Sequence, residues 1–382
     1  MNIFSLLLFI IALAYSFLIL LYAYYFKKIN YNQLNYQFDK FVNVSIIIPA
    51  RNESHCILEL MQSIKNQTYP YQFIEIIVVD DASTDDTFKV VQDFANQNSN
   101  LNCKVIRIED NTVKKTYKKF AISKAIQLSK GDLIITTDAD CVVGCDWVAG
   151  IVNLYIQSNA KMIVGFVAYS NDDSIFQKMQ NLEFLSLIAS GVSAVESGYP
   201  IMCNGANLVY ERKAFDEVNG FDLNEHFASG DDVFLLLKIK KHFGKNSIFV
   251  LDDKNTIVYT HAMKNLSAFI QQRIRWASKT KGYKDLSILL VAGIVFSYNT
   301  SIIFTLLIGI VYHNFLLITL YLFLLKVVID FPIILSITKF VNRKDLLIFY
   351  LPLQILYLPY ILIIGIISNF ISYQWKGRTI KD

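Results

Sequence analysis

The sequence predicts a mostly parallel α/β domain with transmembrane helices at both ends of the chain. Its 382 residues are 54% hydrophobic and have a mean hydropathy of +0.38, which is more apolar than is usual for a soluble protein of this size. The apolar excess lies at the two ends, and the middle alternates short apolar runs with segments of helical spacing. A net charge of +4 gives no nucleic-acid footprint, so nucleic acid is not an expected partner.

The N-terminal end predicts one transmembrane helix. Residues 3–26 carry no charge and are followed at once by Lys27 and Lys28. A run of this length can span the ~30 Å hydrocarbon core of a bilayer. A signal peptide is the alternative, but the residues before the run lack Lys and Arg, and the run is too long. The lysine pair places the following domain in the cytoplasm, and we expect an integral protein of a bacterial inner membrane.

The C-terminal region, residues 286–373, predicts about three further spans. They are 286–312, 315–337 and 346–371. Lys326 and Asp330 lie four residues apart in the second span, which favours a pair within the bundle over a transport role. Pro352 and Pro359 can break the last span into a kinked or re-entrant segment. Three full spans would leave the basic tail WKGRTIKD outside, and the sequence does not decide between a hairpin and a failure of the positive-inside rule.

The middle of the chain, residues 42–280, has the pattern of a cytoplasmic α/β domain. Apolar runs predict strands at 44–50, 73–83, 104–108 and in LIITTDAD, and helical spacing predicts helices at 53–65, in TDDTFKVVQDFANQ and at 120–129. Strands that alternate with helices indicate a mostly parallel sheet with helices on both faces. Ligands bind such sheets at the carboxyl ends of the strands.

Polar residues follow three of these strands. They are Arg51, Asn52 and Glu53 after the first, Asp80 and Asp81 after the second, and Asp138 and Asp140 after the fourth. Any one carboxylate can be a helix cap or a turn former, but three groups at one edge of the sheet predict a binding site. Asp138 and Asp140 are expected on one face of an extended segment, where two hard oxygen ligands suit Mg²⁺ or Mn²⁺.

Seven motifs in order resemble those of the membrane-bound family-2 glycosyltransferases, which have the GT-A nucleotide-diphospho-sugar fold. They are IIIPARNES, VVDDASTDDT, KKFAISKAI, TTDADC, CNGANLVYER, ASGDD and QRIRW, within residues 42–280. The resemblance implies an inverting hexosyl- or N-acetylhexosaminyltransferase. Its donor would be a nucleotide-diphospho-sugar, with uridine the expected nucleoside, and its acceptor a membrane-associated lipid or glycan. A divalent cation, Mg²⁺ or Mn²⁺, at Asp138 and Asp140 would stabilise the pyrophosphate leaving group.

The resemblance also implies roles for single residues. Asp232 is the general base, and Asp231 stands where relatives often carry Glu. The donor-side residues are Arg51, Glu53, Asp80 at the nucleobase, Lys118, Asp138, Gln272, Arg275 and Trp276, and the acceptor-side residues are Asn204, Gly205 and Asp231. Lys119 competes with Lys118 for its role. Arg275 can clamp a pyrophosphate and Trp276 can stack on the acceptor, although such a pair beside a membrane is alternatively an interfacial anchor.

Three other functions fit parts of this pattern. A processive polysaccharide synthase also carries Q-x-x-R-W, but about three C-terminal spans are few for a polymer channel. A binding protein that has lost catalysis would lack one of the acids, whereas Asp138, Asp140 and Asp232 are all present. A transporter would not need a donor-binding domain of this size. We therefore expect addition of one sugar to a lipid-linked acceptor, among membrane lipids.

Overall fold

The computed structural model describes residues 3–29, 36, 38–109, 117–170, 172–222 and 230–380, so Ala228 and Ser229 of the ASGDD motif lie outside it. The helices in these ranges are α1 (Ile3–Lys28), α2 (Ile57–Lys65), α3 (Thr87–Gln97), α4 (Tyr117–Leu128), α5 (Trp147–Ser158), α6 (Ile175–Glu196), α7 (Arg212–Glu217), α8 (Asp231–Phe243), α9 (Leu266–Ser278), α10 (Leu286–Val311), α11 (Asn314–Phe340) and α12 (Tyr350–Ile367). The strands are β1 (Val44–Ala50), β2 (Ile74–Asp81), β3 (Asn102–Ile108), β4 (Leu133–Thr136), β5 (Met162–Val164), β6 (Val167–Tyr169), β7 (Leu208–Glu211), β8 (Ile248–Val250), β9 (Val258–Thr260), β10 (Tyr373–Trp375) and β11 (Arg378–Ile380).

A seven-stranded sheet of order β3-β2-β1-β4-β7-β5-β8 forms the centre of the middle domain. β1 to β4 pair in parallel, as do β5 and β8, and β7 runs antiparallel to both of its neighbours. Six of the seven residues of β1 and all eight of β2 are buried, which is why both strands are continuous apolar runs in the sequence. The predicted fold class, a mostly parallel α/β domain with apolar helices at both ends, is confirmed.

Two boundaries differ from the prediction and change the site. The helix predicted at 53–65 is α2, and it begins at Ile57 rather than at residue 53, because Asn52 has a left-handed φ of 54° and turns the chain after β1. The fourth strand ends at Thr136, and Cys141 N–H donates to the Asp138 carbonyl at 3.1 Å. Asp138 and Asp140 therefore lie in a turn after the strand. The prediction that both side chains point to one face relied on the alternation along a strand, which does not apply in this turn.

Four helices are long and apolar enough to cross a membrane: α1, α10, α11 and the segment Lys344–Ile367, which contains α12. α1 packs on α10 and α11, and α12 packs on α10. Lys326 and Asp330 of α11 pair at 2.5 Å, as the sequence predicts. The Tyr15 hydroxyl donates to Asp330 at 2.7 Å, and Lys326 donates to Gln354 at 2.6 Å. Partners from two other helices, α1 and α12, thus satisfy this buried ion pair.

The chain after α12 returns to the α/β domain. Arg343, which precedes α12, pairs with Asp172 at 2.9 Å, and Arg378 of β11 pairs with Asp81 at 2.7 Å. Both flanks of α12 therefore contact the same domain. Pro359 lies inside α12 without ending the helix.

Candidate active site

Tight turns at the carboxyl ends of β1 and β2 form one rim of a crevice above the sheet. β2 lies on one side of β1 and β4 on the other, so the strand order changes direction at β1. Ligands bind at such a point in sheets of this kind. Ala82 has a φ of 50°, a left-handed conformation that costs a non-glycine residue roughly 1–2 kcal/mol. Asn52 N–H donates to Ser83 Oγ at 3.0 Å, and Thr84 N–H donates to Asn52 Oδ1 at 2.9 Å. These bonds hold the two turns against each other.

The crevice contains a cavity of about 490 Å³. The predicted donor-side residues in its walls are Arg51, Glu53, Lys118, Asp138, Gln272 and Arg275. Two predicted donor-side residues are not among them. Trp276 lines a second cavity instead, and the Asp80 side chain is fully buried with Arg107 Nε 3.5 Å from Oδ2. Consecutive side chains of a strand point to opposite faces, and Asp81 lines the cavity in its place.

Asp138 and Asp140 form the acidic part of this cavity. Lys118 donates to Asp138 Oδ1 at 2.6 Å. Burial and the repulsion of Asp138 raise the pKa of Asp140, and Lys376 and His261 offset only part of this rise. Two carboxylates in one cavity wall, one of them buried and repelled by the other, are a hard oxygen donor set that a divalent cation would stabilise. These residues therefore fit the divalent cation that the resemblance implies.

A second cavity, also of about 490 Å³, lies deeper and extends to the apolar helices. Its polar walls include the predicted acceptor-side residues Asn204, Gly205 and Asp231, together with Asp232 and Trp276. Its apolar walls come from α6, α10 and α12, through residues that include Leu187, Ile188, Val295, Ile361 and Ile364. Six residues line both cavities, namely Lys118, Asp138, Asp140, Met263, Gln272 and Arg275. The two cavities therefore share a wall at the acids and cations.

Asp232 lies in the first turn of α8, where backbone N–H groups are free to stabilise a carboxylate. Its Oδ1 accepts from Val233 N–H at 2.8 Å, and Lys279 Nζ lies 3.4 Å from the same oxygen. Burial alone would raise the pKa of Asp232, but Lys279, the Val233 amide and Lys118 hold it below its usual value. The carboxylate is therefore ionised at neutral pH and able to accept a proton. A Cβ atom at Gly205 would lie 3.7 Å from Lys118 Nζ and 3.8 Å from Asp232 Cβ, so all three positions are neighbours.

Family comparisons agree with this geometry. The profile described as "Glycosyl transferase family group 2" matches residues 133–375, more than half of the chain. The profile described as "Glycosyl transferase family 2" matches residues 45–218. The chain belongs to the family-2 glycosyltransferases. The family that the seven motifs resemble is thus confirmed.

Individual relatives of this family-2 glycosyltransferase share part of its length. The poly(ribitol-phosphate) β-N-acetylglucosaminyltransferase TarS of Staphylococcus aureus is 25% identical over 227 residues, which cover 58% of this chain and 35% of TarS. The β-monoglucosyldiacylglycerol synthase of Nostoc sp. is 27% identical over 235 residues, 61% of this chain and 48% of the synthase. The chain therefore matches about a third to a half of the length of these relatives.

A solved structure shares the fold. The mannosyltransferase PcManGT of Pyrobaculum calidifontis, in complex with GDP-Man and Mn²⁺, superposes with a TM-score of 0.59 at 18% identity. The match covers 95% of this chain and 98% of that chain, so it extends over the apolar helices as well as the sheet domain. The GT-A fold that the motifs imply is confirmed.

The Q-x-x-R-W residues of this glycosyltransferase lie on α9, and Gln272, Arg275 and Trp276 all line the deeper cavity. The centroid of the Trp276 ring lies 4.2 Å from the guanidinium carbon of Arg273. Arg273, for which the sequence predicts no role, forms a buried ion pair with Glu183 of α6. Trp276 packs on this ion pair, which indicates that the pair holds α9 against α6.

His261, Lys279 and Lys376 line the cavities and were not predicted, and neither was Arg378, which pairs with Asp81. Lys279 follows Arg275 by four residues, so continued helical spacing could have indicated it. A lone histidine in THAMKN has no pattern that marks it. Lys376 and Arg378 lie on either side of Gly377 in the tail, and nothing local connects them with a site more than 290 residues away.

Proposed function

We propose that this protein transfers one sugar, with inversion, from a nucleotide-diphospho-sugar to a lipid-linked acceptor. The shared wall of the two cavities carries the proposal. One cavity offers cations and carboxylates at the ends of the parallel strands, and the other connects the same wall to the apolar helices. A donor in the first cavity and a membrane-embedded acceptor in the second would therefore meet at Asp138, Asp140 and Arg275.

On the donor side, the nucleoside would lie along Arg51, Glu53 and Asp81. Arg51 is fixed for this role because its Nη1 donates to the Asp81 and Ala82 carbonyls at 2.6 and 2.8 Å. Lys118 and Arg275 bring cations to the shared wall, where each could donate to phosphate oxygens. Mg²⁺ or Mn²⁺ held by Asp138 and Asp140 would supply Lewis-acid stabilisation of the departing pyrophosphate.

On the acceptor side, Asp232 would take the proton from the attacking hydroxyl. Its lowered pKa and its position on the deeper cavity support this role. Asp231, Asn204 and Gly205 line the same wall and would shape the space for the acceptor. A single displacement with one base inverts the anomeric centre, so an inverting outcome follows from the proposal.

The apolar end of the deeper cavity supports a lipid-linked acceptor. Val291 and Val295 of α10 and Ile361 and Ile364 of α12 line this end, and a soluble glycan would gain nothing from such walls. The name of the Nostoc relative describes a glucosyl transfer to diacylglycerol, which is consistent with this class. We place the domain on the cytoplasmic side because Lys27 and Lys28 are the last residues of α1.

The test is a donor and acceptor screen on the purified full chain in lipid nanodiscs. UDP-sugars and GDP-mannose are supplied with Mn²⁺, and diacylglycerol and polyprenyl phosphate serve as acceptors. We expect one sugar per lipid in the product, and we expect Asp232→Asn to lower the rate by about 10²–10⁴-fold. Asp93→Asn makes the same chemical change on the exposed face of α3 and should leave the rate unchanged.

Each part of the proposal has its own contrary result. Asp232→Asn with a rate within about twofold of the wild type would exclude this base. Full activity in EDTA would exclude the metal role of Asp138 and Asp140. A long polymer in the product would favour the processive synthase instead.

A further inference from the structure

Outside the wall that it shares with the donor crevice, the deeper cavity is acidic. The lysine, arginine, aspartate and glutamate residues that line this part are Glu183, Asp231, Asp232, Arg273 and Lys279. Both bases are already paired, Arg273 with Glu183 and Lys279 Nζ with Asp232 Oδ1 at 3.4 Å. His261 interacts with Asp140 of the shared wall instead. Three acids and two bases leave this part of the cavity with one net negative charge.

Two of these acids lie beside Gly205, which has no side chain to fill the space. A Cβ atom at Gly205 would lie 3.7 Å from Asp231 Oδ2 and 3.8 Å from Asp232 Cβ. Lys118 Nζ would be 3.7 Å from the same atom, but it donates to Asp138 at 2.6 Å. The Asp231 side chain is buried and that of Asp232 largely so, and water and salt screen buried charges less than exposed ones. An anion beside Gly205 would therefore be repelled.

Among the described residues, the apolar end of the cavity offers no cation to an anionic head group. The residues of α10 and α12 that line it are all uncharged, among them Ile288, Ala292 and Tyr357. Lys118 and Arg275 of the shared wall are the cations that the proposed function assigns to the donor phosphates. A phosphate on the acceptor would thus bring negative charge to walls that have no cation left to pair with it in the described part of the chain.

We propose that the acceptor is an uncharged lipid that attacks through a free hydroxyl, and that Asp231 and Asp232 together exclude lipids whose accepting group is a phosphate. This inference rests on the proposed function and narrows its acceptor. The hydroxyl oxygen forms the new bond to the anomeric carbon, and its proton passes to Asp232. The bond from that carbon to the donor phosphate breaks, and its electron pair leaves with the nucleoside diphosphate.

A lipid phosphate does not fit this chemistry. A phosphate monoester carries roughly 1.5 to 2 negative charges at pH 7, so its oxygen attacks without help from a base. The carboxylate of Asp232 would have no proton to take from it and would repel it, as would that of Asp231. A hydroxyl brings no charge, and it gains from the base beside it.

Two pairs of lipids that differ only in the accepting group test the inference on the purified full chain. Dioleoylglycerol is compared with dioleoyl phosphatidate, and a polyprenol with its own polyprenyl phosphate, in nanodiscs of phosphatidylcholine with donor and Mn²⁺. We expect kcat/KM for the hydroxyl lipid to exceed that for its phosphate by at least about tenfold, in each pair that receives sugar.

A variant tests the charge of Asp231 separately from the base. Phosphatidate is added as a competitor of transfer to dioleoylglycerol, and we expect its Ki to be about tenfold lower in Asp231→Asn than in the wild type. A residue with a structural role only would not make the protein bind phosphatidate more tightly when it is changed. Asp216→Asn makes the same chemical change at an exposed position of α7 and should leave the Ki unchanged.

The contrary results separate this inference from the proposed function. A phosphate lipid that receives sugar within tenfold of the rate of its alcohol would overturn the inference and leave transfer to a lipid-linked acceptor standing. A Ki for phosphatidate that is unchanged or raised in Asp231→Asn would overturn the role of that residue. Absence of transfer to all four lipids would overturn the proposed function together with the inference.

Discussion

Removal of Lys279 tests whether Asp232 is the base, because Lys279 is the cation beside that carboxylate. Lys279 Nζ lies 3.4 Å from Asp232 Oδ1, and both side chains are largely buried. At that separation two unit charges attract by about 5 kcal/mol for an effective dielectric constant of ~20, which corresponds to roughly 3–4 pKa units. Lys118 and the Val233 amide stay in place, and water enters the space that the ammonium leaves. We therefore expect Lys279→Met to raise the pKa of Asp232 by about 1–3 units.

The sign of the effect on activity follows from the role of a base. Asp232 must be ionised to accept a proton, so a raised pKa moves the acid limb of the rate profile to higher pH. In the wild type the pKa of Asp232 lies below its usual value, and this group gives no acid limb above about pH 5. In Lys279→Met we expect kcat to decline as the pH falls below about 6.

The assay is kcat at saturating donor and Mn²⁺, followed from about pH 5 to about pH 9 at constant ionic strength. Saturating Mn²⁺ keeps the occupancy of the proposed metal site the same in both proteins. Lys284→Met removes the same charge from a nearby exposed side chain and should reproduce the wild-type profile. A Lys279→Met profile that shows no acid limb above about pH 5, like that of the wild type, would refute the assignment of Asp232.

Three further changes test other parts of the molecule. Asp140→Asn should lower the transfer rate by about 10²–10³-fold and remove its response to added Mn²⁺, as a metal titration of the rate will show. Arg273→Met leaves the buried Glu183 charge without its cation and should lower the free energy of unfolding by about 3–5 kcal/mol, whereas the double change with Glu183→Met should cost much less. Thermal unfolding in detergent measures both, and an equal loss in the two would contradict the argument. Lys326→Leu should destabilise the apolar helices for the same reason, and adding Asp330→Leu should recover most of the loss; a double variant no more stable than the single one would speak against it.

The sequence predicted where the crevice lies but not which acidic side chains around it point into it. Apolar runs that end in polar residues mark the carboxyl ends of β1 and β2, and this was enough to bring Arg51 and Glu53 together. The choice between Asp80 and Asp81 needs the phase of the strand. All eight residues of β2 are buried, so the alternation of apolar and polar residues that would set this phase is absent.

Contacts between distant segments were beyond the reach of the sequence for a different reason. Lys279 lies 47 residues from Asp232, and Lys376 lies 323 residues from Glu53. Periodicity and turn chemistry describe neighbours along the chain. These pairs form only because the end of α9 and the turn between β10 and β11 pack against the sheet domain. The antiparallel β7 was missed because four residues between two helices give too short a pattern.

The position of α9 connects the proposed chemistry with the apolar helices. α9 carries Arg275 into the wall that the two cavities share, and its buried face is held by the ion pair of Arg273 with Glu183. The Tyr360 hydroxyl of α12 donates to the same Glu183 at 3.2 Å, so the packing of α12 fixes the helix that places a cation beside the donor. In the proposed function, a lipid that enters between α10 and α12 would contact the helix that supports this arrangement.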